Sequence, residues 1–389
     1  MKLILKIAIF FCFTKGAIGQ NLLLPDAAVA SALQNHPGIQ AAAFEVKAKR
    51  SAQKAAFNLP NPEINAESPT GEFYAVGVLQ SFEFPTVYGR QKQVAKAETG
   101  LAQAGQRMSE NELRYQVRSL YLETQVAEYQ SRQWAERDSL YAVIASTAAR
   151  QFSSGEIDFL QKTWAENEAG KVHQERIAAA QIRNVLRQNL STLTGLEDLG
   201  TLLPLAADTL SLDSDFDLSG SPTIEYAAQT AKVAERQVDL ANSRALPNFS
   251  VGYLNQGPRN TPIDYRFRAS MGIPLWAGQY SASTKAAKAE SQAAIARTQA
   301  QSQAVLLESQ RARTTFINAL AMVQYQEKEA LPRGQSMIDA AVRLQASGQV
   351  DYVTFLRTLD EAFSIQRDYI EQLRALNSAR ISLRYLLGQ

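Results

Sequence analysis

Cysteine is nearly absent. The only one, Cys12, lies in the apolar run Ile7 to Phe13 of a 389-residue chain. Lys2 and Lys6 lead into that run, and Ala17 and Gly19 place small residues three and one before a cut near Gly19. The pattern predicts a secretory signal peptide over residues 1–19. A membrane anchor fits less well, because the run is far shorter than the ~20 residues a span needs. Phe10 and Phe11 stand where a lipobox requires small residues, which argues against lipidation of Cys12. The exported chain would then have neither disulfides nor thiolate metal sites.

Histidine is also scarce. Of two, His36 precedes Pro37 and reads as a helix-start residue, and His173, within "GKVHQERI", reads as part of a solvated helix face. No HExxH, P-loop or dinucleotide fingerprint is present, and five scattered methionines make no soft-metal relay. "DSDFD" at 213–217 resembles the start of a calcium loop, but Leu218 replaces the turn glycine and no Glu stands at the twelfth position. No nucleophile–base constellation suggests an enzyme, and no cofactor or metal site is expected. The formal charge of +2 falls to −1 once Lys2, Lys6 and Lys15 leave with the leader, so nothing favours nucleic acid. No later stretch runs 18 apolar residues without charge, and no transmembrane helix is predicted.

What the chain does have is written twice. "SSGEIDFL" at 153–160 is echoed by "ASGQVDYV" at 346–353. Around them the landmarks recur in order: Pro37 and Pro222, Leu59-Pro60-Asn61 and Leu246-Pro247-Asn248, Pro85 with Gly89 and Pro274 with Gly278. "LTG" ending at Gly195 matches "LLG" ending at Gly388. This is a tandem duplication: a first repeat over 20–196, a linker over 197–221 and a second repeat over 222–389. Each repeat reads helix, β-hairpin (about 62–84 and 248–275), long helix, tip turn (about 152–158 and 346–351), helix. The fold class is mainly α with a small β part. Leu356, Leu359, Phe363, Ile370 and Leu373 step as a coiled-coil seam, and Ile182, Leu186 and Leu193 suggest another. Gly155 and Gly348 fall where the helices must reverse, since glycine reaches the left-handed region without a Cβ clash.

The β segments alternate. Phe249, Val251 and Tyr253 oppose Asn248, Ser250 and Gly252; Tyr265, Phe267, Ala269, Met271 and Ile273 oppose Arg266, Arg268, Ser270 and Gly272. Such hairpins suit a transmembrane barrel or a small soluble sheet packed on helices. In the first hairpin Leu79 and Gln80 break the alternation. Four strands per chain cannot close a membrane-spanning barrel, because the smallest single-chain examples use eight.

Signal peptide, duplication, four amphipathic strands and paired long helices together resemble the TolC family of outer-membrane efflux proteins. "NHPGIQAA", "FNLPNPEI", "FEFPTVYG" and "FSSGEIDFL" look most like its CusC/CzcC-like branch. The resemblance implies a homotrimer whose twelve strands form one β-barrel and whose long helices form an α-barrel across the periplasm. It also implies that a periplasmic adaptor (membrane fusion protein) and an inner-membrane pump engage the tips. The tip residues it implies are Ser154, Gly155, Asp158, Ser347, Gly348 and Asp351. The family's pattern has acidic residues six and nine positions after the second tip glycine, forming a cation-attracting ring; here Thr354 and Arg357 stand there. Thr354, Arg357 and Asp360 are therefore the candidate gate. Arg357 either faces the lumen or pairs along its own helix with Asp360 or Glu361. The expected function is a passive exit duct of a tripartite efflux system; the alternative is a soluble periplasmic coiled-coil adaptor or scaffold.

Overall fold

Prolines mark the helix starts. Pro25, Pro37, Pro85 and Pro222 each stand in a first helical turn, where the missing N–H costs nothing and the fixed φ suits the helix. The computed structural model describes residues 22–67, 75–207, 218–255 and 266–389. The expected signal peptide and the "DSDFD" run lie outside the described residues.

The first half runs β1 (Leu22–Leu23), α1 (Pro25–Asn35), α2 (Pro37–Ala55), β2 (Glu63–Glu67), β3 (Ala75–Phe82), α3 (Pro85–Ser153) and α4 (Phe159–Thr194). After β4 (Thr201–Leu202) and a short 3-10 turn, Leu218–Gly220, the second half runs α5 (Pro222–Ser243), β5 (Asn248–Leu254) and β6 (Phe267–Gly272). It ends with α6 (Ala277–Tyr325), α7 (Leu331–Ala346) and α8 (Tyr352–Leu387). With 69 residues, α3 is on the order of 100 Å long. No described helix is long and apolar enough to cross a membrane.

One expected long helix is interrupted. A π-helical turn, Gln326–Ala330, separates α6 from α7. Pro332 follows it; proline has no N–H to give to the carbonyl four residues back, and its ring crowds that carbonyl. The wider turn relieves the crowding without ending the rod. Helix α6 begins at Ala277, three residues after Pro274.

Each helix buries a narrow seam. On α8, Leu356, Leu359, Phe363, Ile370 and Leu373 are all buried, each side chain contributing about 1.5–3 kcal/mol. On α4 the expected seam is corrected at Ile182, which is 56% exposed; Leu186 and Leu193 are half-buried, and the fully buried line is Ala165, Val172 and Ala179, continued by Leu190 and Thr194. Seven-residue spacing of small side chains lets α4 lie close on α3, and Ile182 falls on the other flank. Three buried clusters follow: around Tyr352 and Phe355 near the tips, around Phe316 and Leu376 at mid-length, and around Leu113, Tyr121 and Leu190. Tyr121 ties the parallel β1–β4 pair to α3: its hydroxyl donates to the Leu23 carbonyl (2.6 Å) and accepts from the Leu203 N–H (2.9 Å).

Strands β2, β3, β5 and β6 form one antiparallel sheet in the order β2-β3-β5-β6. Its register sets Ile64, Val78, Tyr253 and Phe267 in one cross-strand row, and Phe82, Phe249 and Met271 in another on the same face. Gln80 shares this apolar face, and its amide donates to the carbonyls of Pro60 (2.7 Å) and Ser81 (3.0 Å). Leu79 points the other way, opposite Gly252. The break in the alternation is therefore absorbed without a slip in register.

Candidate functional site

The repeated phrase builds the same turn twice. At the end of α3, the N–H groups of Ser154, Gly155 and Glu156 donate to the carbonyls of Arg150, Phe152 and Gln151. At the end of α7, those of Ser347, Gly348 and Gln349 donate to Arg343, Gln345 and Leu344. Gly155 and Gly348 sit at φ +79° and +71°, in the left-handed region a helix reversal of this kind uses. Asp158 then caps α4 in a reciprocal box with Gln161, and Asp351 caps α8 by accepting from the Thr354 N–H at 2.9 Å. Hydrogen bonds from the Thr354 hydroxyl and N–H hold the Asp351 carboxyl below its usual pKa. Ser154, Gly155, Asp158, Ser347, Gly348 and Asp351 are all exposed.

The two tips differ in what surrounds these turns. Beside the first, Phe152, Phe159, Leu160 and Trp164 are exposed, with Leu160 73% so. Beside the second, Tyr352 and Phe355 turn inward and join a core shared with Tyr141, Ile144 and Ala148 of α3 and Ala165 of α4. That core brings the two hairpins together. Trp164 was outside the expected tip; its four-residue spacing from Leu160 was the available signal.

Thr354, Arg357 and Asp360 are exposed along α8, away from buried Phe355, Leu356 and Leu359. The Thr354 hydroxyl is engaged with Asp351 (2.7 Å). Among the described residues Arg357 makes no ion pair, so the alternative of pairing along its own helix is not realised. Sequence reasoning missed Arg137, which is buried and stacked between the rings of Trp134 (4.9 Å) and Phe363 (4.3 Å) and donates to the Phe363 carbonyl (3.2 Å). Burial, then the nearby Arg367, lower its pKa. His173 is exposed beside Asp138 at 3.2 Å, and the His36 ring accepts from the Gly38 N–H at 3.1 Å, making it the cap of α2.

At the other end of the molecule, the sheet exposes its apolar face. Ile64, Val76, Val78, Phe267 and Met271 are all exposed, as are Ile273 and Trp276 just beyond β6, Trp276 to 80%. On the opposite face Gly77, Gly252 and Gly272 stand across from Leu254, Leu79 and Asn248. A Cβ at Gly252 would collide with the Val78 carbonyl and come within 3.0 Å of the Leu79 Cα. Strands β2 and β6 are edge strands, each paired on one side only among the described residues. The helical wall has matching open flanks. α3 packs between α2 and α5 near the sheet, and between α4 and α8 toward the tips, while α6 packs on α5 and α8. The helices at the two ends of this row expose apolar residues: Phe44, Ile182 and Val185 on α2 and α4, and Ile295, Leu306, Leu307 and Ile317 on α6.

The helical wall and the sheet superpose on solved channel structures. Structures of CusC match with a TM-score of 0.80 at 17% identity, covering 94% of this chain and 92% of that one. The outer-membrane channel OprN matches at 0.80 and 16%, covering 94% and 89%. The CmeC outer membrane channel of Campylobacter jejuni matches at 0.76 and 13%, covering 94% and 85%. The chain has the fold of the outer-membrane channels. Residues 217–389, essentially the second half, match the family described as outer membrane efflux protein. No curated protein matches the sequence. The proteins that share the channel fold differ from this chain at more than four positions in five, so its residue-level properties rest on its own geometry.

Proposed function

We propose that the protein is the outer-membrane exit duct of a tripartite efflux system, a homotrimer of the TolC family that conducts small molecules or metal ions passively from periplasm to exterior. The observation that carries this reading is the coincidence of open edges. The flank ending in β2 and the flank beginning at β6 each expose an unpaired strand edge together with apolar helix side chains. Unpaired edges and apolar flanks are stable only when covered. Strand β6 runs antiparallel to β2, so β6 of one copy and β2 of the next continue the antiparallel pattern without a break. Joining of this head-to-tail kind makes a ring when the rotation between copies closes, as a barrel wall requires.

The size of the ring favours three copies. Two would give eight strands, a barrel whose interior is filled by side chains. Three give twelve strands, and at each level twelve helices about 8–10 Å apart, a wall roughly 30–40 Å across. The apolar face made by Ile64, Val78, Tyr253 and Phe267 would meet lipid, and exposed Leu275 and Trp276 at its base suit an interfacial girdle. The two repeats (20–196 and 222–389), joined by the 197–221 linker, then each contribute two strands and two spans of wall.

The tips are the proposed docking end. Ser154, Gly155, Asp158, Ser347, Gly348 and Asp351 would meet a periplasmic adaptor, with Phe152, Phe159 and Leu160 supplying apolar contact. Arg357 and Asp360 would line the constriction, with Thr354 held to its cap. Fractionation of cells making the full chain tests the reading: recovery in the outer membrane is expected, and recovery in the soluble periplasm alone would contradict it.

A further inference from the structure

One cavity lies away from both the tips and the sheet. It occupies about 970 Å³ between α2, α3 and α5, at the end of the helical wall nearest the sheet. Lys54 stands one residue before the end of α2, and Lys92 two turns into α3, about 10 Å along it. Its walls carry Arg50, Lys54, Lys92, Lys96, Lys232 and Arg236. No carboxylate lines it.

Five of these cations, Arg50, Lys54, Lys92, Lys96 and Lys232, are exposed around one concavity, and the neighbouring acids are turned to other partners. Glu98 pairs with Lys49 at 3.0 Å, Asp239 with Arg90 at 3.0 Å and with Arg236 at 3.4 Å, and Glu225 with Arg107. Arg50, Lys54, Lys92, Lys96 and Lys232 make no ion pair among the described residues. The floor is kept low by small residues: Ala97 is buried, and a Cβ at Gly100 would press on the Gln229 amide at 3.3 Å. Five cations that converge from three helices without an ion partner repel one another, and an anion between them relieves that repulsion. Charge-assisted hydrogen bonds to phosphate oxygens supply the compensation that the chain itself does not. The volume is that of an ordinary small-ligand site.

We propose that this cavity is a binding site for a phosphate-bearing polyanion, held by the cations of α2, α3 and α5. The ligand can come from two sources that share this chemistry, a soluble polyphosphorylated compound or an anionic lipid headgroup. All six cations lie within one chain, so the site does not depend on the assembly proposed above.

The test uses the purified full chain in detergent and in lipid nanodiscs. In the first arm, calorimetry measures inorganic tripolyphosphate; in the second, native mass spectrometry counts retained phosphatidylglycerol against phosphatidylcholine. Replacing Lys92→Gln, Lys96→Gln and Lys232→Gln together is expected to weaken binding in at least one arm by about tenfold or more. Lys92→Arg, Lys96→Arg and Lys232→Arg should retain it, and Lys162→Gln with Lys171→Gln at the tip should leave it unchanged. Loss in the first arm alone assigns a soluble anion, and loss in the second assigns a lipid. Equal binding by wild type and the triple Gln variant in both arms, or equal loss in the tip control, would overturn the proposal. An unchanged stoichiometry of the variants keeps this outcome separate from that of the assembly.

Discussion

The Tyr352 hydroxyl donates to the Ile144 carbonyl across 2.9 Å, a buried bond that joins the start of α8 to α3. It ties one helical hairpin to the other just behind their tips. Tyr352→Phe should lower thermal stability by about 1 kcal/mol while leaving assembly intact, as judged by melting curves and gel filtration.

The same hydroxyl predicts an alkaline limit. Burial pushes the pKa of Tyr352 up to about 12, and burial with Asp360 and Glu168 pushes Tyr141 up to about 12. Folding favours both neutral phenols, so their contribution is fully present below pH 10, the unfolded value, and is lost as pH rises from there toward about 12. The melting temperature should fall across that window, and less steeply in Tyr352→Phe. An equal fall in both proteins would show that Tyr352 does not titrate with the fold.

At the tips, Gly155 and Gly348 leave open space around a would-be Cβ, so only their positive φ restricts substitution. Asn, which tolerates the left-handed region, should preserve function at either position; Val should strain the turn by roughly 1–2 kcal/mol or more. Complementation of an efflux-deficient strain should fail with Gly348→Val and succeed with Gly348→Asn, with both proteins reaching the membrane. Full tolerance in the Val strain would remove the tips from the mechanism.

Arg357 is exposed and unpaired on α8. Three copies around a narrow axis would repel cations and one another. Planar-bilayer recordings should therefore give weak cation selectivity for the wild type and a shift toward cations for Arg357→Asp. Strong cation selectivity unchanged by that substitution would exclude Arg357 from the constriction.

Much of this architecture was legible before any coordinates. Proline positions, the paired tip glycines and the α8 seam are local signals, because each depends on backbone conformation or on periodicity within one element. What escaped depends on partners far away in sequence. Ile182 fits a seam by spacing, yet small residues on α4 won the contact with α3. No spacing within α6 and α7 says that a π turn would absorb Pro332. Arg137 looks like a solvated charge until Phe363, more than 200 residues away, covers it. The basic cavity draws on three helices, none of which is remarkable in charge alone. Leu79 and Gln80 looked like noise, and the register resolved them through Gly252 and the Pro60 carbonyl.

Gly252 gives a test confined to the sheet. A side chain there would strike the Val78 carbonyl on the neighbouring strand. Gly252→Val should block insertion into the outer membrane while the helical circular-dichroism signal is largely kept, since none of the three buried clusters draws on the four-stranded sheet. Normal insertion of the variant would contradict the close approach of β3 and β5.

The most direct measurement of the central claim is the native mass of the detergent-extracted protein, made from the full chain. Edge strands β2 and β6 and the apolar flanks of α2, α4 and α6 require neighbours, and the account predicts a single species of three chains. A well-folded monomer, extracted without loss of helix or sheet signal, would contradict it.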